Sequence, residues 1–216
     1  MSIPSATSDP AQRRRSGLVV AVVLVVLAGA VFAAFKIHDA LKSSPKPDTG
    51  AATLHLPTSF SGFAVAKDPD SATLRARITA GSTSSTAPAE RGVQTQLYIN
   101  PGGHRVFVVG ASAHDNADTR GLLRSEPHET TLSDAMIGYK VIGATDIPTT
   151  PYSGVMRCGL GVYGGNRNTP ICIWVDDDTY VTVLDVSIAV VGSTALTATD
   201  LASATTALRA QAESTN

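Results

Sequence analysis

The sequence predicts an α+β protein: a single N-terminal transmembrane helix, then an ectodomain with an antiparallel sheet, a disulfide-linked hairpin and a C-terminal helix. Three observations predict it. Residues 16–35 are twenty consecutive residues without a charge. Short strand-like runs and helix-like runs are segregated rather than alternating, which favours an antiparallel sheet over βαβ units. The two cysteines, Cys158 and Cys172, stand symmetrically about Gly165.

The apolar stretch is long enough to cross a hydrocarbon core of about 30 Å at 1.5 Å per helical residue. Arg13, Arg14 and Arg15 precede it directly, and such charge stays on the cytoplasmic side. Residues 1–15 are therefore expected as a disordered cytoplasmic stub, 16–35 as the transmembrane helix, 36–53 as a Pro/Ser-containing linker and 54–216 as the extracytoplasmic domain. The rival expectation is a cleaved signal peptide, with Ala28-Gly29-Ala30 as the small-residue cleavage site. The stretch exceeds the usual apolar region of about 7–15 residues, which favours a retained anchor. Both place the domain outside the cytoplasm, at the cell membrane.

Charge is balanced, with 17 Lys plus Arg against 18 Asp plus Glu. Removing the arginine triplet and Asp9 leaves 14 basic and 17 acidic residues beyond the span. A mildly acidic ectodomain is not built to coat nucleic acid, and no nucleic-acid partner is expected.

Along the ectodomain, 60–66 reads as a first short strand. Asp68-Pro69-Asp70 reads as a helix entry, with Leu74 and Ile78 four apart on one face. A Ser/Thr/Ala/Pro loop is expected over 81–92. Residues 94–99 and 105–111 flank Asn100-Pro101-Gly102-Gly103, a hairpin. A weak helix is expected over 118–124 and a strand over 139–145. Runs 155–163, 171–175 and 180–188 form a meander. The chain closes with a helix over 197–213, where Thr197 and Asp200 suit a capping box and Leu201, Ala204 and Leu208 share a face.

In an oxidising compartment, Cys158 and Cys172 are expected as one disulfide. Antiparallel pairing of 158 with 172 centres on Gly165, in Gly164-Gly165-Asn166, a sequence suited to positive φ. The bridge would cross-link neighbouring strands around a loop of about 15 residues, a stabilisation of roughly 3 kcal/mol. Pro170, opposite Leu160, has no N–H for the ladder, so the hairpin is expected to fray or bulge there. Ile171, Ile173 and Val175 fall on one face, Cys172 and Trp174 on the other, so Trp174 is expected to pack the sheet beside the disulfide.

Several motifs invite chemistry that their context refuses. Gly159 to Gly164 matches G-x-G-x-x-G but leads into another strand rather than a helix, so no dinucleotide site is expected. Asp176-Asp177-Asp178 lacks calcium-loop spacing and reads as a turn with solvated carboxylates. Ser112 lacks the final glycine of a nucleophile elbow. His55, His104, His114 and His128 are scattered. No catalytic, cofactor or metal residues are expected, and the protein is not expected to be an enzyme.

From Gly154-Val155-Met156-Arg157-Cys158-Gly159 through Cys172-Ile173-Trp174-Val175-Asp176 to Thr179, the chain resembles a family of actinobacterial membrane-anchored proteins of unknown function. Their pattern is Cys-Gly, a Gly/Asn-rich loop, then Cys-x-Trp-x-Asp and a Thr; the closing helix with Leu208-Arg209 is similar too. The pattern departs at Val175 and Val181, which stand where the family has Ala and Gly. More distantly, the element order is similar to that of PsbP-like domains. The resemblance implies no catalytic or ligand residue. The expected function is a membrane-anchored binding or accessory module of the cell envelope, with an envelope or membrane protein as partner. The alternatives are an envelope hydrolase, or an extracytoplasmic sensing subunit acting through a membrane partner.

Overall fold

Among the described residues, eight strands form one sheet, all neighbours antiparallel, between two helical layers. The computed structural model describes residues 53–83, 92–190 and 192–212, with backbone alone over 79–83. The expected stub, transmembrane helix and most of the linker lie outside the described residues. Among those described, no helix is long and apolar enough to cross a membrane.

In chain order the elements are β1 (Ser59–Phe60), β2 (Phe63–Val65), α1 (Pro69–Thr83), β3 (Val93–Ile99), β4 (Arg105–Ser112), α2 (Ala117–Ser125), α3 (His128–Gly138), β5 (Ile142–Asp146), β6 (Val155–Tyr163), β7 (Asn166–Val175), β8 (Thr179–Asp185) and α4 (Ala198–Ala212). The sheet order is β1-β2-β3-β4-β8-β7-β6-β5. The α+β class, antiparallel sheet, disulfide hairpin and closing helix are as the sequence predicts.

Antiparallel sheets commonly show one face to water. Here both faces of the central strands are covered. Cys172, Trp174, Val181 and Val183 face α4, which packs Leu201, Ala204 and Leu208 onto them. Ile171, Ile173, Val175 and Leu184 face the other way, toward Leu74 of α1, Leu123 of α2 and Leu132, Ala135 and Met136 of α3. The alternation along β7 is the one expected from its sequence.

Helix entries follow their capping chemistry. The Asp68 carboxylate accepts from Ser71 N at 3.0 Å, with Pro69 at the first helical position, where its missing N–H costs nothing. The Thr197 hydroxyl oxygen accepts from Asp200 N at 3.0 Å, as expected. Asn116 caps α2 through Thr119 N at 2.8 Å.

Four local expectations are corrected. The single strand over 60–66 is two strands, because Ser61 and Gly62 both take positive φ (43° and 80°) and fold Phe60 onto Phe63. That reversal stacks their rings 5.4 Å apart and sets Phe60 edge-on to Tyr98 at 4.8 Å. Helix α1 runs through Thr83, into the expected loop. The last strand ends at Asp185, whose carboxylate accepts from Ser187 N and Oγ and from Leu196 N, turning the chain into a 3-10 turn over Ser187–Ala189. Finally, α3 has no counterpart among the expected elements. It lacks a side-chain cap, beginning after Pro127, and two adjacent threonines obscure its pattern.

Candidate functional site

The residues that the sequence singles out in the last third converge on one buried cluster. Cys158 pairs opposite Cys172 on β6 and β7, with Cα atoms 4.1 Å apart, and the two form a disulfide. The hairpin turns on Gly164 and Gly165, both at positive φ (58° and 84°), between the paired residues Tyr163 and Asn166. That is the primed geometry which matches the twist of a two-residue hairpin. Leu160 stays opposite Pro170; the irregularity falls one step further on, between Gly161 and Tyr163.

Trp174, fully buried, packs in the same cluster as Cys158 and Cys172. Its Nε1 donates to Thr179 Oγ1 at 3.0 Å, satisfying the polar handle that a buried indole carries. The Thr179 hydroxyl donates in turn to Asp176 Oδ2 at 2.8 Å. Asp176 Oδ1 accepts from the backbone N–H of Asp178 and Thr179 at 2.9 and 2.7 Å.

The expectation of three solvated carboxylates is therefore corrected at Asp176, which is 5% exposed. Asp177 is exposed, and only it and Asp178 fit the expected turn. The cause is Arg209 of α4. Arg209 is 1% exposed, and its guanidinium lies 3.1 Å from Asp176 Oδ2, donates to Ser153 O, and covers the rings of Tyr152 and Trp174 at 5.4 and 6.0 Å. A charged acceptor at the turn is matched by a charged donor from the helix. The pattern Cys-x-Trp-x-Asp…Thr and the arginine of the closing helix thus build one internal lock.

Gly154 shows how tightly this corner is closed. Its φ is +80°, and a Cβ there would lie 2.3 Å from Val175 O and 2.6 Å from Asp176 Cβ.

Ser112, His114 and Asp115 meet at the end of β4. The buried Ser112 hydroxyl donates to Asp115 Oδ2 at 2.9 Å, while His114 Nδ1 lies 2.7 Å from Asp115 Oδ1. Serine and imidazole bind opposite oxygens of one carboxylate, so the base that faces the hydroxyl is Asp115 and not His114. Burial opposes ionisation of Asp115, but hydrogen bonds from His114 and Ser112 and the nearby His114 and His55 hold its carboxyl below the usual range. His114 is thus bound to this carboxylate, while the His55 ring meets Thr53 Oγ1 at 2.8 Å. His128 meets Asp177 at 3.3 Å, and His104 meets Thr194 O at 3.0 Å. Among the described residues, no group of three His, Cys, Asp or Glu is placed to hold a metal ion.

Tyr139, Tyr163 and Tyr180 gather on the α3 face. Burial pushes the Tyr163 phenol up to about 12; burial and then the neighbouring Tyr180 and Tyr163 raise Tyr139. Burial also raises Tyr180, against a hydrogen bond with Thr182. These are neutral packing groups.

What sequence reasoning missed lies at the opposite side of the sheet from β1. Every residue of β5 is exposed. Ile142 is 64% exposed, and Ile137, near the end of α3, is 72% exposed. Edge strands are ordinarily blunted by Lys, Pro or shortness. Edge β1 is two residues long; β5 has five residues and neither Lys, Arg nor Pro, and its blunting features are a β-bulge between Ile142 and Thr145 and the charge of Asp146.

No protein-family model, no curated protein and no solved structure matches the chain.

Proposed function

We propose that the chain is a single-pass envelope protein whose extracytoplasmic domain is a binding or accessory module, with the β5 edge as its binding surface. The observation that carries this reading is the contrast between that open edge and the buried polar lock. Asp176, Arg209, Thr179 and Trp174 are consumed within the fold, and the Ser112 hydroxyl is bound to Asp115 rather than to a histidine. The strand Ile142–Asp146 offers backbone groups and an exposed isoleucine to a partner. An added strand gains affinity from main-chain hydrogen bonds.

The localisation is supported by the uncharged residues 16–35 behind three arginines, and separately by a disulfide, which is rare in a reducing cytosol. The resemblance to membrane-anchored proteins through Cys158-Gly159 and Cys172-Ile173-Trp174-Val175-Asp176 supports the same reading. A photo-crosslinking amino acid at Ile142, in intact cells, tests the binding role. Discrete protein adducts at 142, and none with the probe at exposed Asp70, are expected. Adducts equally strong at 70, or none at 142, contradict it.

A further inference from the structure

Before its first strand the chain lies along the sheet without secondary structure of its own. Residues 53–58 run over β3 and β4, on the same face as α4, which packs on β6 and β7. Leu54, 1% exposed, sits over Gly110, where a Cβ would lie 2.6 Å from Leu54 Cδ2 and 2.7 Å from Val181 Cγ2. A glycine inside a strand often marks such a close approach. Gln94, Gly110 and Val181 stand in one row across the sheet. The Gln94 amide grips the segment twice: Nε2 donates to Leu54 O, and Oε1 accepts from Leu56 N at 3.4 Å. Four residues further along β3, the Tyr98 hydroxyl donates to Pro57 O at 2.7 Å.

Among the described residues, no backbone–backbone hydrogen bond holds 53–57; the first, from Val65 N to Thr58 O at 3.0 Å, comes at the end of the segment. The segment is therefore fastened by side chains: Leu54, the half-buried Leu56, one amide and one phenol. Strands β4 and β8, by contrast, are paired on both sides. A segment with few buried contacts and no ladder opens at a lower free energy than the whole domain.

We propose that residues 53–58 are a releasable strap, which lifts off the sheet as a unit while the sheet stays folded. The strap leads out of the expected linker, so its release lengthens the chain between anchor and sheet. Six extended residues reach at most about 20 Å. That consequence rests on the anchored reading; the detachment itself rests on the strap's own contacts and stands or falls separately.

The test is hydrogen exchange on the full chain in mild detergent, comparing the Leu56 amide with the Val183 amide of β8. Leu56 is expected to exchange faster than Val183, at a rate that low urea leaves unchanged. Val183 exchange should accelerate with urea, as global opening does. Leu54→Ala should abolish protection at Leu56 and leave Val183 protected. Gly110→Ala should do the same by expelling the leucine; should that variant fail to fold, Leu54→Ala decides alone. Leu56 and Val183 exchanging in step, with the same urea dependence, overturns the inference, because the segment then opens only with the sheet. A Leu56 amide unprotected in the wild type overturns it too, as does loss of Val183 protection in Leu54→Ala.

Discussion

The Arg209 guanidinium lies 3.1 Å from the Asp176 carboxylate, and neither side chain reaches solvent appreciably. This pair fastens the closing helix to the turn between β7 and β8. Breaking a buried pair by removing one partner typically costs roughly 3–5 kcal/mol. Asp176→Ala should cost more than Arg209→Met. Loss of the aspartate also strands the N–H groups of Asp178 and Thr179 and the Thr179 hydroxyl, whereas methionine keeps the aliphatic packing of the arginine stem. Chemical denaturation of the two variants checks the order; an arginine variant costing the same or more would reverse it.

Asp176 is committed to protein donors, so calcium has little to bind at the triplet. The thermal midpoint of the wild type should be the same with added calcium and with chelator. A rise with calcium that Asp177→Asn together with Asp178→Asn abolishes would install a metal site there.

Gly154→Ala should destabilise by several kcal/mol, for two reasons that add. Alanine is disfavoured at φ +80°, and its Cβ would overlap Val175 O. Gly103→Ala has the positive φ (81°) without the overlap, because nothing lies within 4 Å. The difference in denaturation free energy between the two variants isolates the steric part, and equal losses would refute it.

Much of the fold was legible because its signals are local. Asn100-Pro101-Gly102-Gly103, Asp68-Pro69 and Thr197 with Asp200 each specify backbone conformation within four residues, and each lies where the sequence put it. The register of Cys158 with Cys172 followed from the position of two glycines. What was not legible depended on contacts distant in sequence. The burial of Asp176 needs Arg209, 33 residues on. Helix α3 lacks a cap of its own, and Leu132 and Met136 acquire their partners from the sheet. The exposure of β5 is a property of strand order, set by the whole topology.

The Asp68–Arg105 pair, 3.0 Å apart, gives a pH dependence with a definite sign. Burial opposes ionisation, but hydrogen bonds from Ser71 and Arg105 outweigh it and hold the Asp68 carboxyl well below the ordinary range. A depressed folded pKa contributes stability that is fully present above the unfolded value, about 3.9, and lost as pH falls below it. Asp68→Asn should therefore lower the thermal midpoint at pH 7, and the gap from wild type should narrow progressively below about pH 4. A gap constant with pH, or one that widens on acidification, would contradict the pairing.

The most direct test of a disulfide-locked, membrane-anchored domain is an intact-mass measurement on the chain after cells are treated with a thiol-blocking reagent before lysis and denaturation. Such a domain outside the cytoplasm, still carrying residues 1–35, should give the mass of the whole chain less two hydrogens, with no reagent on Cys158 or Cys172. Two reagent groups per chain would place the cysteines in a reducing compartment and contradict both the lock and the location. The mass of a chain that begins just after Ala30 would contradict the retained anchor.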